Sequence, residues 1–175
     1  MWMPLRIKKL TARKITTLGL FVSVGLVLHY AESFVPGMGV LPGVRIGLAN
    51  IVTLLAFFHY GAGFSLTVGL LRSLLGSLLG GTITAFLYSG AGTIGAVLVM
   101  LVSRRFFSGS VSLIGWSMLG AFAFNLAQVT VAALVLENAY MFMYLPPMAI
   151  FSAVSGLCTG LLATRISPKN ERQSF

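Results

Sequence analysis

Aspartate is absent from this 175-residue chain, and Glu32, Glu137 and Glu171 are its only carboxylates. That excludes aspartate-rich sites for a magnesium-bound diphosphate, triads built on aspartate and paired-aspartate chemistry. Cysteine is almost absent as well. Cys158 alone can close no intrachain disulfide, and its apolar surroundings read as those of a small buried hydrophobe. Charge is scarce: 9% of the residues carry one, against about 25% in an ordinary soluble domain. A chain with 57% hydrophobic residues and a mean hydropathy of +0.96 cannot coat a globule with charge. It reads as an all-α integral membrane protein.

What charge there is has one sign. Twelve Lys and Arg stand against three Glu, a net of +9. In a soluble chain that excess points to nucleic acid; here it is first a topology signal, and no nucleic-acid partner is expected. A spanning helix needs about 20 apolar residues, and six runs qualify: 15–35, 46–60, 64–81, 85–103, 112–136 and 140–164. The second is short and borrows residues from the loop before it. Residues 1–14 and 165–175 remain as basic tails flanking a transmembrane domain at 15–164. Six spans put both tails and the 104–111 connection on one side. Arg6, Lys8, Lys9, Arg13, Lys14, Arg104, Arg105, Arg165, Lys169 and Arg172 then all face the cytoplasm, as the positive-inside rule requires. The expectation is a compact bundle of six transmembrane helices with both termini cytoplasmic. Ala31-Glu32-Ser33 looks like a signal-peptidase site, but the apolar run continues past it, so cleavage is not expected.

Small residues recur at fourfold spacing. Ser65, Gly69, Ser73, Ser77 and Gly81 do so in the third span, with Gly76 and Gly80 beside them. Ser152, Gly156, Gly160 and Thr164 do so in the sixth, and Gly19 and Ser23 in the first. Each set lies along one helix face. Such faces let helices approach closely, either within the bundle or against another membrane subunit. Pro146-Pro147 should break or kink the sixth span near its outer end. Gly90-Ala91-Gly92 should punctuate the fourth. Irregular backbone of this kind is where transporters place binding sites.

The few polar residues inside the spans are the candidate ligand contacts. Arg72 stands near the middle of the third span, where a charge costs about 2.5–3.5 kcal/mol on insertion scales. It shares a face with Ser65, Gly69 and Gly76, so it points inward with no acid at its depth. Backbone carbonyls, an anionic substrate or a partner protein can each answer it. Asn125 and Gln128 project from one face of the fifth span, either tying helices together or lining a cavity. Asn50 and Thr53 repeat the pattern in the second span. His29 and Glu32 sit at the outer end of the first, and Glu32 can pair with Arg45 across a Pro/Gly-rich loop. His59 reads as an interfacial aromatic. No nucleophile with a base, no Cys/His zinc spacing and no phosphate loop is present, so neither catalysis nor a metal or cofactor is expected.

These residues carry a resemblance. Pro42-Gly43-Val44-Arg45-Ile46-Gly47-Leu48-Ala49-Asn50-Ile51-Val52 resembles the PG-basic-x-GLANIV motif of a bacterial membrane family labelled heptaprenyl diphosphate synthase component I, or Gx transporter. Residues 71–80 resemble its LR-x-LLGSLLGG motif. Asn125-Leu126-Ala127-Gln128 resembles its HN-x-x-Q stretch, with Phe124 where the family has His. That family is similar in turn to the S components of energy-coupling-factor (ECF) importers. Those are six-helix subunits that bind a small molecule and dock, through small-residue faces, on a membrane T component carrying two ATPases. The resemblance implies a non-catalytic substrate-binding subunit with Arg45, Asn50, Arg72, Asn125, Gln128, Glu32 and His29 toward substrate. The docking or packing faces would be Gly19, Ser23, Gly69, Ser73, Gly76, Ser77, Gly80, Gly156 and Gly160. The alternative that the label carries is a membrane accessory of polyprenyl diphosphate synthesis, which without Asp can only be non-catalytic.

Overall fold

The computed structural model describes residues 12–33, 50–80, 83–106 and 112–166, and these are almost wholly helical. In chain order the helices are α1 (Ala12–Ser33), α2 (Asn50–Tyr60), α3 (Ala62–Gly80), α4 (Ile83–Phe106), α5 (Leu113–Val135) and α6 (Leu145–Ile166). A 3-10 segment, Ala139–Tyr144, precedes α6. Five stretches are long and apolar enough to cross a membrane, and α2 is not. Its 11 residues rise about 16 Å, roughly half the hydrocarbon thickness. Residues 46–49, where the second apolar run starts, lie outside the described residues.

Neighbouring helices run up and down. α1 and α3 are parallel, with Gly25 against Arg72 and Gly76 against His29. Gly61 turns α2 into α3, and its φ of +87° is a left-handed geometry that glycine adopts without penalty. Its N–H closes the last turn of α2 on the Phe57 carbonyl at 3.0 Å. α4, α5 and α6 alternate beyond. One end of the bundle therefore holds the start of α1, the Gly61 turn and the end of α6. Arg13, Lys14, Arg104, Arg105 and Arg165 lie on that end. Among the described side chains the only carboxylate is Glu137, exposed in the turn at the opposite end. There it takes a left-handed φ of +49°, and the Asn138 N–H reaches back to the Ala133 carbonyl at 3.0 Å, which ends α5.

The shortest helix is the most central. Val52 and Ala56 of α2 join Val22 and Val68 in one buried cluster. Leu54 and Phe57, on its other side, join Val97, Met100, Trp116, Phe124 and Ala163. The perimeter is the reverse of a soluble surface: Leu20, Val27, Leu78, Ile83, Leu134 and Ile150 all point outward. Only a hydrocarbon solvent accommodates that pattern.

Three local expectations change. Pro146 and Pro147 kink nothing, because α6 starts at Leu145 and places both prolines in its first turn. Amide protons there have no intrahelical acceptor, so proline sacrifices none. Gly90 and Gly92 lie inside the unbroken α4. The bare Cα of Gly92 instead receives the Phe124 ring, which stands 2.8 Å from where a Cβ would be. Cys158 is exposed rather than buried. It lies beside Leu157, Leu161 and Leu162 on the outward side of α6, so its apolar neighbours mark the lipid face and not the core.

Candidate functional site

Arg72 is 3% exposed, on the side of α3 that meets α1. Its Cδ lies 2.9 Å, and its Cγ 3.4 Å, from where a Cβ on Gly25 would stand, with Val52 of α2 at 3.8 Å. The arginine stem therefore crosses the bare backbone of α1 at a junction of three helices. One turn further along, the His29 ring covers Gly76 at 3.1 Å. Arg72 and His29 thus share the α1–α3 seam. Glu32 lies in the last turn of α1, with its side chain outside the described residues. Arg45 and the loop that a Glu32–Arg45 pair would pin also lie outside them.

Asn125 belongs to another seam. Its amide N–H group donates to Ser152 Oγ of α6 at 2.6 Å and to the Met148 carbonyl at 3.4 Å. Ser152 Oγ in turn donates to the Met148 carbonyl at 2.8 Å. Of the two roles open to Asn125, the structure shows the tie between helices. Replacing it with leucine is expected to lower the unfolding free energy by about 0.6–2 kcal/mol, the usual worth of such a bond between membrane helices; titration with a denaturing detergent measures this. Gln128, one turn along α5, is 4% exposed, and its Oε1 accepts no hydrogen bond.

Asn50 opens α2, and a small pocket lies along this helix. Asn50, Thr53 and Leu54 of α2, Ala96 and Met100 of α4, and Ser117, Gly120 and Ala121 of α5 line it. Phe124, standing where the resembled pattern has His, is buried among Leu54, Val97 and Trp116. An imidazole there would be surrounded by hydrocarbon.

The small-residue faces divide between the two roles left open. Gly69 meets Thr93 of α4, Gly156 meets Met118, Gly160 meets Ile114 of α5, and Gly76 meets His29. Ser73 and Ser77 are buried too, Ser77 donating to the Leu74 carbonyl at 2.8 Å. These are internal packing faces. Gly19 and Gly80 have nothing within 4 Å of where a Cβ would stand, and Ser23 is exposed. Only these three are turned outward. Ser65, on the small-residue face of α3, donates to the Thr53 carbonyl at 2.7 Å, while reading along the sequence missed the polar pair Ser117 and Thr159, whose hydroxyls bond across α5 and α6. Thr159 follows Ser152 and Ser155 at a spacing of three and four on the buried side of α6, a periodicity that would have marked it. Among the described residues no group of three His, Cys, Asp or Glu gathers to hold a metal.

No curated protein and no solved structure matches this chain. Residues 21–166 match the family described as heptaprenyl diphosphate synthase component I. That stretch runs from the middle of α1 to the last residue of α6 and takes in every packing contact above. This multi-helix, membrane-type chain therefore belongs to the heptaprenyl diphosphate synthase component I family.

Proposed function

We propose that this chain is the membrane-embedded, non-catalytic component of a polyprenyl diphosphate-synthesising system in the cytoplasmic membrane of a bacterium. The family match over residues 21–166 carries the reading. Chain elongation at a diphosphate needs metal-binding carboxylates, and the sole described carboxylate side chain, Glu137, sits in a surface turn. Catalysis would then belong to a water-soluble partner. The bundle contributes a lipid-facing perimeter beside which a lengthening apolar product can leave water. The cationic end with Arg13, Lys14, Arg104, Arg105 and Arg165 supports a cytoplasmic orientation for both termini, the side on which a soluble synthase works. Deleting the gene is expected to shorten the polyprenyl products or reduce their amount, read by mass spectrometry of extracted lipids. An unchanged product profile overturns this reading.

A second reading has its own observation. Gln128 Oε1 is buried without a donor, one turn from Asn125 on α5. An importer subunit of the S-component type would use such a group to hold a small polar ligand, with partner ATPases supplying energy. Affinity purification from native membranes separates the readings: a T-type membrane subunit with two ATPases favours the importer, and a soluble prenyl synthase favours the accessory.

A further inference from the structure

Three of the eight residues that line the pocket beside α2 are polar, none is charged, and most of its surface is apolar. Its polar lining is Asn50, Thr53 and Ser117, and the rest is Leu54, Ala96, Met100, Gly120 and Ala121. The volume open to the centre of a water molecule is about 10 Å³, close to the least that one ordered water requires. Thr53 is 2% exposed, and its Oγ1 has no hydrogen-bond partner. A buried hydroxyl left so forfeits the hydrogen bonds that water would give it.

The proton count shows what fits. Thr159 Oγ1 donates its only proton to the Gly156 carbonyl at 3.1 Å. In its bond with Ser117, Thr159 must therefore accept, and the Ser117 proton is the one shared. Ser117 Oγ keeps lone pairs to offer. Thr53 Oγ1 keeps both a proton and lone pairs, and the Asn50 amide can give or take. A molecule that accepts from Thr53 and donates to Ser117 matches the walls, and a metal cation, which donates nothing and meets no carboxylate here, does not.

We propose that this pocket is a built site for one ordered water, held by Thr53, Ser117 and Asn50 where α2, α4 and α5 meet. Met100 reports on it. Its side chain is 2% exposed and lines the pocket, whereas Met148 is 3% exposed and does not. Brief X-ray radiolysis turns bound water into hydroxyl radical, which oxidises adjacent methionine sulfur before diffusing. In the purified full-length protein, Met100 should be oxidised well ahead of Met148, despite equal burial. Thr53→Val removes the hydroxyl at nearly constant shape. Gly120→Ala adds a methyl that meets Met100 Sδ at 3.4 Å, an ordinary contact that fills the pocket. Both variants should reduce Met100 oxidation to the Met148 rate while the outward-facing Met143 is labelled as before. Equal rates for Met100 and Met148 in the parent protein overturn the proposal, whether or not the variants fold. So does Met100 oxidation that persists in a folded Gly120→Ala protein, since bulk water would then be its source.

Discussion

Replacing Gly156 and Gly160 together with alanine is expected to lower stability by about 3–5 kcal/mol. A Cβ on Gly156 would stand 2.6 Å from the Met118 Cα, and one on Gly160 would stand 2.7 Å from the Ile114 Cα. Both obstacles are backbone, so no side chain can swing aside and α5 and α6 must separate. Overpacking of this kind costs about 1–3 kcal/mol per site. Separation also stretches the Asn125–Ser152 and Ser117–Thr159 bonds, each worth about 1 kcal/mol between membrane helices. Gly19→Ala and Gly80→Ala are the controls. Nothing lies within 4 Å of either Cβ position, and alanine there should be neutral or stabilise by about 0.5–1 kcal/mol through lower chain entropy. Unfolding in a denaturing-detergent series, followed by circular dichroism, distinguishes the pairs. A double variant that unfolds with the controls would mean that α5 and α6 do not meet at these glycines.

That contrast shows what the amino-acid pattern carries and where it stops. Spacing by fours identified both Gly156 and Gly19 as members of small-residue faces, because helical geometry alone sets which residues share a face. It is silent on what the face meets. In a lipid-soluble chain, hydrophobicity no longer separates inside from outside, since Leu and lipid are alike. Cys158 shows the same ambiguity: surrounded by leucine in sequence, it lies on the perimeter. The helix count and most boundaries were legible because an apolar run of sufficient length has few other readings in water. Residues 46–49, where the second apolar run starts, lie outside the described residues. Of the candidate site, Arg72, Asn125 and Gln128 were correctly sought inside the bundle, because polar groups in hydrocarbon turn toward one another. Their division between separate seams depended on which helices neighbour which, and no pattern within a single helix encodes that.

Truncating Arg72 to alanine is expected to loosen α1 and lower stability by about 2–4 kcal/mol, on the scale of deleting a long core side chain. Little holds α1 in place. Its apolar window is 11% buried, against 33–44% for the other four long stretches, and it packs on α2 and α3. At their junction the Arg72 stem fills the groove that Gly25 leaves open, with Val52 alongside. Removing the stem opens a void shared by three helices, and the least buried of them yields first. Val22, which is buried on α1, should then become reactive as a Val22→Cys variant, in a Cys158→Ala background that removes the exposed native thiol. Arg72→Met separates the two roles of the side chain. It keeps a stem of similar length and relinquishes the charge, so it should restore most of the stability and keep the introduced thiol protected. If Met proves as damaging as Ala, the guanidinium and not its stem secures α1. If Arg72→Met is stable but its polyprenyl product profile matches that of the deletion strain, the cation is held in the bundle for function, and the Gly25 groove is what lets α1 close around it.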